Sequence, residues 1–198
     1  MNLPNKLTIF RIILVPIMVI IPLFNLQGNF YNIPITYLII DLIFIIASIT
    51  DKLDGYLARS RNEVTTFGKF LDPIADKILV LSAMVMLVEL GKLPSWIPII
   101  ILFREFIVSG YRLVAVQKGG KVVAASIWGK LKTVTQMIAV IAAFLNTGGF
   151  LECFGGTLNG LDFVMNLIAS VMMLVCVFAT IFSGWDYLKD GKDLLFSE

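Results

Sequence analysis

Long apolar runs separated by short polar breaks make up most of the chain. Each run is about as long as the ~20 residues that an α-helix needs to cross the hydrocarbon core of a bilayer. The pattern therefore predicts an all-α integral membrane protein, a single domain over residues 1–198, with six transmembrane helices. The predicted helices cover residues 5–26, 34–60, 68–90, 94–118, 126–147 and 160–188.

The first apolar run has the basic start and apolar centre of a signal peptide. The stretch FNLQGNFYN follows it, without the small residues of a cleavage site. We therefore expect this helix to be retained. Pro4 suits the first turn of a helix, where its missing N–H group costs nothing.

Composition narrows the possible functions. Hydrophobic residues make up 58% of the chain and charged residues 15%, which favours a bilayer over water as the main solvent. The net charge of +2 is too small to indicate a nucleic-acid partner. The absence of histidine excludes a histidine general base, a histidine triad and a histidine metal site. Cys153 and Cys176 are far apart in sequence, and we expect them to be unpaired.

Four aspartates lie close together at the polar break between the second and third predicted helices. Asp51 and Asp54 are three residues apart, and Asp72 and Asp76 are four apart, so each pair lies on one helix face. Carboxylate oxygens suit Mg2+, Mn2+ or Ca2+. Ionisable residues near a membrane indicate a functional site. The alternative is ordinary pairing with the nearby basic residues Lys52, Lys69 and Lys77.

The spacing of this segment is D-x2-D-G-x2-A-R-x8-G-x3-D-x3-D. It resembles the signature of the CDP-alcohol phosphotransferase family, whose members are integral membrane enzymes of phospholipid synthesis. Eight fixed positions within residues 51–76 make the motif highly specific. They are Asp51, Asp54, Gly55, Ala58, Arg59, Gly68, Asp72 and Asp76.

The resemblance implies a site with two ions, Mg2+ or Mn2+. Asp51 and Asp72 would bridge both ions, Asp54 would bind the first and Asp76 the second. The donor would be a CDP-linked lipid such as CDP-diacylglycerol, with its acyl chains in the bilayer. Asp76 would also act as the general base for an alcohol that attacks the lipid-side phosphorus and releases CMP.

The resemblance also implies a nucleotide site. Arg59 would clamp a phosphate, although it could instead be a topological anchor. Gly55 and Ala58 leave room for the donor or for close helix packing. The segment P-N-x-L-T-x-x-R begins at Pro4 and ends at Arg11, and its Asn5 and Thr8 would hold the nucleotide or simply cap the first helix. The remaining proposed contacts are Thr65 and Gly68.

Basic residues in the second half of the chain favour a phosphorylated acceptor, although they could equally be contacts to anionic lipids. The segments FREFIVSGYR and SIWGKLKT resemble those of the bacterial phosphatidylglycerolphosphate synthases within the family. This implies sn-glycerol 3-phosphate as the acceptor, with inositol phosphate or phosphatidylglycerol as alternatives. The candidate acceptor residues are Arg104, Arg112, Lys121, Lys130 and Lys132.

The distribution of basic residues predicts the orientation. With both termini in the cytoplasm, all but Arg104 and Lys92, that is 14 of the 16 lysines and arginines, lie at or near the cytoplasmic side. We therefore expect a multi-pass protein of the cell membrane whose site faces the cytoplasm, and the resemblance implies a homodimer. A divalent-cation transporter is the main alternative from another class, but it would place its acidic residues near the midplane of broken helices. A scaffold without activity does not require eight fixed positions.

Overall fold

The computed structural model describes residues 2–24, 26–60, 65–117 and 127–196. Within these residues the chain forms six α-helices, as the hydrophobic pattern predicted. The sixth helix differs most from its prediction, because it continues through the polar tail instead of ending near residue 188. The helices are α1 (Leu3–Ile20), α2 (Ile35–Ser60), α3 (Thr66–Glu89), α4 (Trp96–Gln117), α5 (Ile127–Leu145) and α6 (Gly160–Phe196).

A small β-hairpin between α1 and α2 departs from the all-α prediction. Strand β1 (Asn29–Phe30) pairs antiparallel with strand β2 (Ile33–Pro34). The two residues between them, Tyr31 and Asn32, have φ angles of 48° and 64°. Two successive residues with positive φ are typical of the tight turn that joins twisted antiparallel strands. The first helix also ends in a 3-10 turn (Ile21–Phe24) instead of running on to residue 26.

Three segments are long and apolar enough to cross a membrane by length and composition: Leu3–Phe24, Ile127–Leu145 and Gly160–Tyr187. They correspond to α1, α5 and α6. The other three helices carry charged residues, namely the aspartates of the motif on α2 and α3 and the pair Arg104 and Glu105 on α4. Such residues are tolerated within a membrane only where they face a partner or a wet cavity.

The helices pack around a continuous apolar core. Its fully buried side chains include Phe44 of α2, Leu79 of α3, Phe144 of α5 and Met173 of α6. Helix α5 packs most extensively on α6. Small buried residues, Ala139 among them, allow the helix backbones to approach closely, as is usual for packing between membrane helices.

Lys92, in the connection between α3 and α4, caps the end of α5. Its ammonium group donates to the carbonyl oxygens of Phe144 at 3.1 Å, Ala143 at 3.4 Å and Asn146. The same group lies 4.4 Å from the centroid of the Tyr37 ring at the start of α2. Burial lowers the pKa of Lys92 to about 8, so the side chain is still charged at neutral pH. A charged donor at a helix C-terminus satisfies carbonyls that have no partner within the helix.

The glycine-rich loop after α5 is held by Asn166 of α6. The Asn166 side chain is fully buried, accepts from the backbone N–H of Cys153 at 2.9 Å and donates to the carbonyl of Gly149 at 2.7 Å. Cys153 and Cys176 are both buried and free, which confirms the prediction that they are unpaired.

We predict that Lys92→Met lowers the free energy of unfolding by about 1.5–3 kcal/mol, because buried carbonyls lose a charged donor. Thermal unfolding in detergent, followed by tryptophan fluorescence, measures the change. Lys130→Met is the control, since Lys130 is exposed on α5, and its effect should stay within about 0.5 kcal/mol. Equal losses in the two variants would contradict the capping role.

Candidate active site

The start of α1, the end of α2 and the start of α3 come together and form the centre of the site. The Thr8 hydroxyl lies 2.8 Å from Asp72 Oδ1 on α3 and 3.4 Å from Asp54 Oδ2 on α2. It also lies 3.2 Å from the carbonyl oxygen of Pro4, within its own helix. One residue of the N-terminal segment therefore contacts one aspartate of each predicted pair.

Arg11 connects α1 to both aspartates of α2. Its Nη1 lies 2.6 Å from Asp51 Oδ1, and its Nη2 donates to Asp54 Oδ2 at 2.5 Å. The Arg11 side chain is 0% exposed and that of Asp54 is 4% exposed, whereas that of Asp51 is 29% exposed. Asp51 is thus the member of the pair that solvent reaches. The sequence resemblance included Arg11 without a role; its position one turn after Thr8, on the same helix face, is the signal that could have indicated one.

Thr65 joins α3 to α1. As the N-cap of α3, its hydroxyl oxygen accepts from the backbone N–H of Gly68 at 3.0 Å. The same hydroxyl donates to Asn5 Oδ1 at 2.9 Å. The N-cap of α1 is Asn2, so Asn5 and Thr8 lie inside the helix and are not its caps. Their side chains are available to the site.

Gly68 allows this close approach. A Cβ atom added at residue 68 would lie 3.0 Å from Asn5 Oδ1 and 3.3 Å from Thr65 Oγ1. Both distances are shorter than ordinary van der Waals contact, so the Asn5 and Thr65 side chains would have to move by a few tenths of an ångström. Gly68 therefore gives the contact between α1 and α3 its room.

A crevice lies beside the fourth aspartate. It is open to solvent, and its polar lining includes Asp76 and Lys77 of α3, Glu105 of α4 and Lys132 and Gln136 of α5. Glu105 accepts from Lys132 Nζ at 2.6 Å and lies 3.9 Å from Lys77 Nζ. Lys77 donates its hydrogen bond to Ser109 of α4, so two ammonium groups from different helices lie near one carboxylate next to Asp76.

The structure separates the candidate acceptor residues. Lys132 lines the crevice, whereas Lys130 is exposed on the surface of α5. Arg104 pairs with Glu105 at 2.8 Å, and its other terminal nitrogen donates to Ser183 of α6.

Several predicted residues are only partly described or not described. Gly55 is half-buried on α2, directly after Asp54. The side chains of Ala58, Arg59 and Arg112 and the whole of Lys121 lie outside the described part of the chain. Lys77 was missed as a crevice residue, because the sequence offered it only as a local partner of the aspartates.

The four aspartates present only oxygen atoms, the donor type that Mg2+ and Mn2+ prefer. Among the described residues, no three acidic or cysteine side chains are grouped closely enough to hold a metal ion. Asp51 and Asp54 instead converge on the Arg11 guanidinium. The oxygen donor set therefore fits a hard cation, and Arg11 is the positive group that two of these carboxylates contact in this structure.

Comparison with known proteins identifies the family. The CDP-alcohol phosphatidyltransferase family matches residues 1–183, and the chain belongs to it. The match covers α1 to α5 and most of α6, so the resemblance carried by the aspartate motif is confirmed.

Curated relatives match over nearly the whole chain. The CDP-diacylglycerol--glycerol-3-phosphate 3-phosphatidyltransferase of Bacillus subtilis is 44% identical, covering 98% of this chain and 97% of its own. The protein of the same name in Haemophilus influenzae is 39% identical, covering 98% and 95%. A probable phosphatidylglycerophosphate synthase of Mycobacterium tuberculosis is 37% identical, covering 94% and 80%.

We predict that Gly68→Ala destabilises the protein by about 1–3 kcal/mol, the range for overpacking a tight contact. The added methyl group would break the hydrogen bond between Thr65 and Asn5 and move α1 away from α3. Thermal unfolding in detergent is the measurement. Gly110→Ala on α4 is the matched control, because an added Cβ there meets no atom within 4 Å. It should be neutral or slightly stabilising, since alanine favours helix. A Gly68→Ala variant as stable as this control would contradict the packing argument.

Proposed function

We propose that the protein transfers the phosphatidyl group of CDP-diacylglycerol to sn-glycerol 3-phosphate, giving phosphatidylglycerol phosphate and CMP. Relatives whose names state this activity match the chain over nearly their full length. The observation that carries the proposal is the crevice beside Asp76, where Lys77 and Lys132 meet at Glu105.

The donor would bind where α1, α2 and α3 meet. Two divalent cations, Mg2+ or Mn2+, would be held by the four aspartates, with Asp51 and Asp72 shared. When bound, such ions neutralise the charge of a diphosphate and stabilise the oxygen that leaves. The proposed donor contacts, namely Asn5, Thr8, Gly55, Ala58, Arg59, Thr65 and Gly68, lie on these three helices or at their ends.

Asp76 would take the proton of the acceptor hydroxyl. It lines the crevice, so an acceptor there would bring its hydroxyl to this carboxylate. The hydroxyl oxygen would form a bond to the lipid-side phosphorus as the bond from that phosphorus to CMP breaks. The chain's contribution is to place base, acceptor and donor in one orientation, which is a large part of catalysis in bimolecular reactions.

The acceptor phosphate would bind to Lys132 and Lys77. Ammonium groups form strong charge-assisted hydrogen bonds with phosphate oxygens. Glu105 holds Lys132 in position, and Lys77 donates to Ser109 of α4. Arg104 acts through Glu105 instead of lining the crevice itself. A neutral alcohol would not use this pair of charges. Arg112, Lys121 and Lys130 remain proposed acceptor contacts on the grounds of sequence alone.

We also propose that the site faces the cytoplasm, with both termini on that side, and that the protein is a homodimer. The orientation rests on the distribution of basic residues, and the homodimer on the family resemblance. The transporter alternative is not favoured, because Asp51, Asp54, Asp72 and Asp76 lie on the continuous helices α2 and α3.

We predict that purified protein with Mg2+ or Mn2+ releases CMP from CDP-diacylglycerol when glycerol 3-phosphate is supplied. No CMP should be released when another acceptor is supplied instead. The acceptors to be tested one at a time are inositol phosphate, inositol, serine and phosphatidylglycerol. Asp76→Asn should reduce the rate by at least about 100-fold, the lower range for loss of general base catalysis. Asp162→Asn is the control, since Asp162 accepts from Thr147 in the glycine-rich loop, away from the aspartate motif.

Other outcomes of this assay would separate the parts of the proposal. Release with a different acceptor would keep the chemistry and overturn the choice of acceptor. No release with any acceptor from folded protein would contradict the transferase function.

We predict that Lys132→Met and Lys77→Met each raise KM for glycerol 3-phosphate by roughly 10-fold or more, the equivalent of one charge-assisted hydrogen bond. KM for CDP-diacylglycerol should change little, because the lysines line the acceptor crevice. Lys189→Met is the control, since Lys189 is exposed on α6. A rise in both KM values to the same extent would indicate a general structural effect and contradict the acceptor assignment.

A further inference from the structure

We propose that Arg11 is an internal counter-cation that holds Asp51 and Asp54 in place when no divalent cation is bound and that competes with that cation for them. This inference rests on the metal site of the proposed function. It assigns to Arg11 a positioning role, because its guanidinium is directed at the aspartates of α2 and not at the crevice.

The first observation is that the Arg11 side chain is completely buried and has two carboxylate partners. The side chain is 0% exposed, and its two terminal nitrogens lie 2.6 Å and 2.5 Å from oxygens of Asp51 and Asp54. A buried guanidinium without partners would be strongly destabilising. The forked shape of arginine allows one side chain to contact two carboxylates at once, which the single ammonium group of lysine does less well.

The second observation is the charge that would remain without Arg11. Asp51 and Asp54 lie on the same face of α2, and Asp72 is connected to Asp54 through the Thr8 hydroxyl. Three carboxylates facing α1 would repel one another in a site that is partly closed to water. Arg11 supplies a positive charge in contact with two of them, so the three helices can pack before any metal ion arrives.

The same geometry predicts competition. A divalent cation bound by Asp51 and Asp54 would share its carboxylates with a positive group that is already in contact with them. Arg11 should therefore weaken cation binding while making the fold less dependent on the cation. Removing the Arg11 charge should reverse both effects.

The test compares the wild-type protein with Arg11→Met in detergent. Melting temperatures are measured in EDTA and in saturating Mn2+, and Mn2+ binding is measured by electron paramagnetic resonance. We expect Arg11→Met to melt at least about 5 °C lower than wild type in EDTA and to recover at least half of that loss in Mn2+, since a ligand stabilises the state it binds. We expect its Kd for Mn2+ to be about tenfold tighter, because a like charge has been removed.

Arg104→Met is the matched control. Arg104 is also a largely buried arginine paired with a carboxylate, but its partner is Glu105, outside the aspartate motif. Its loss in melting temperature should be the same in EDTA and in Mn2+, and its Kd for Mn2+ should match that of wild type.

Arg11→Lys provides a second test, and decides the matter if Arg11→Met does not fold in either buffer. This variant keeps the positive charge but loses the forked guanidinium group. We therefore expect a smaller decrease in melting temperature than for Arg11→Met, and again a larger decrease in EDTA than in Mn2+. Equal losses in the two buffers for the Arg11 variants, while Mn2+ binds, would overturn this inference alone. Absence of Mn2+ binding to wild type and variants would contradict the metal site of the proposed function, and this inference with it.

Discussion

The ionic contacts of Arg11 with Asp51 and Asp54 are the interaction on which the arrangement of the site depends. They join α1 to α2, and the Thr8 hydroxyl one turn earlier joins the same helix to Asp72 of α3. Because Arg11 and Asp54 are buried, each depends on its partner: an unpaired charge at this position would be strongly unfavourable. The N-terminal helix therefore contributes to the candidate active site as well as being a candidate membrane-spanning segment.

A second polar cluster, beside Asp76, follows the same principle. Glu105 contacts Lys132, Arg104 and Lys77, which come from α5, α4 and α3. Asp76 lies between this cluster and the other aspartates of the motif, and it lines the crevice. The division matches the reaction proposed for the protein, with a donor at the aspartates, an acceptor at the lysines and the base between them.

At the opposite end of the helix bundle, the side chains of Lys92 and Asn166 donate hydrogen bonds to backbone carbonyl groups. Near the start of α2, Tyr37 lies under the Lys92 ammonium group. Near the other end of α2, Asp54 lies beside Arg11. Lys92 and Asn166 satisfy carbonyls and amides at the end of α5 and in the glycine-rich loop. On α2 these two sets of polar contacts are separated by Phe44 and Ala47, which belong to the apolar core.

The sequence by itself determined the six helices, the aspartate motif and the family, because apolar period, motif spacing and residue type are local properties of the chain. It also indicated Lys132, but it could not separate Lys132 from Arg104 or find Lys77, since one residue's position along a helix does not say which neighbouring helix it faces. The roles of Arg11 and Gly68 were decided only by the tertiary structure. Both depend on how closely α1 approaches α2 and α3, a distance set by packing between segments more than forty residues apart.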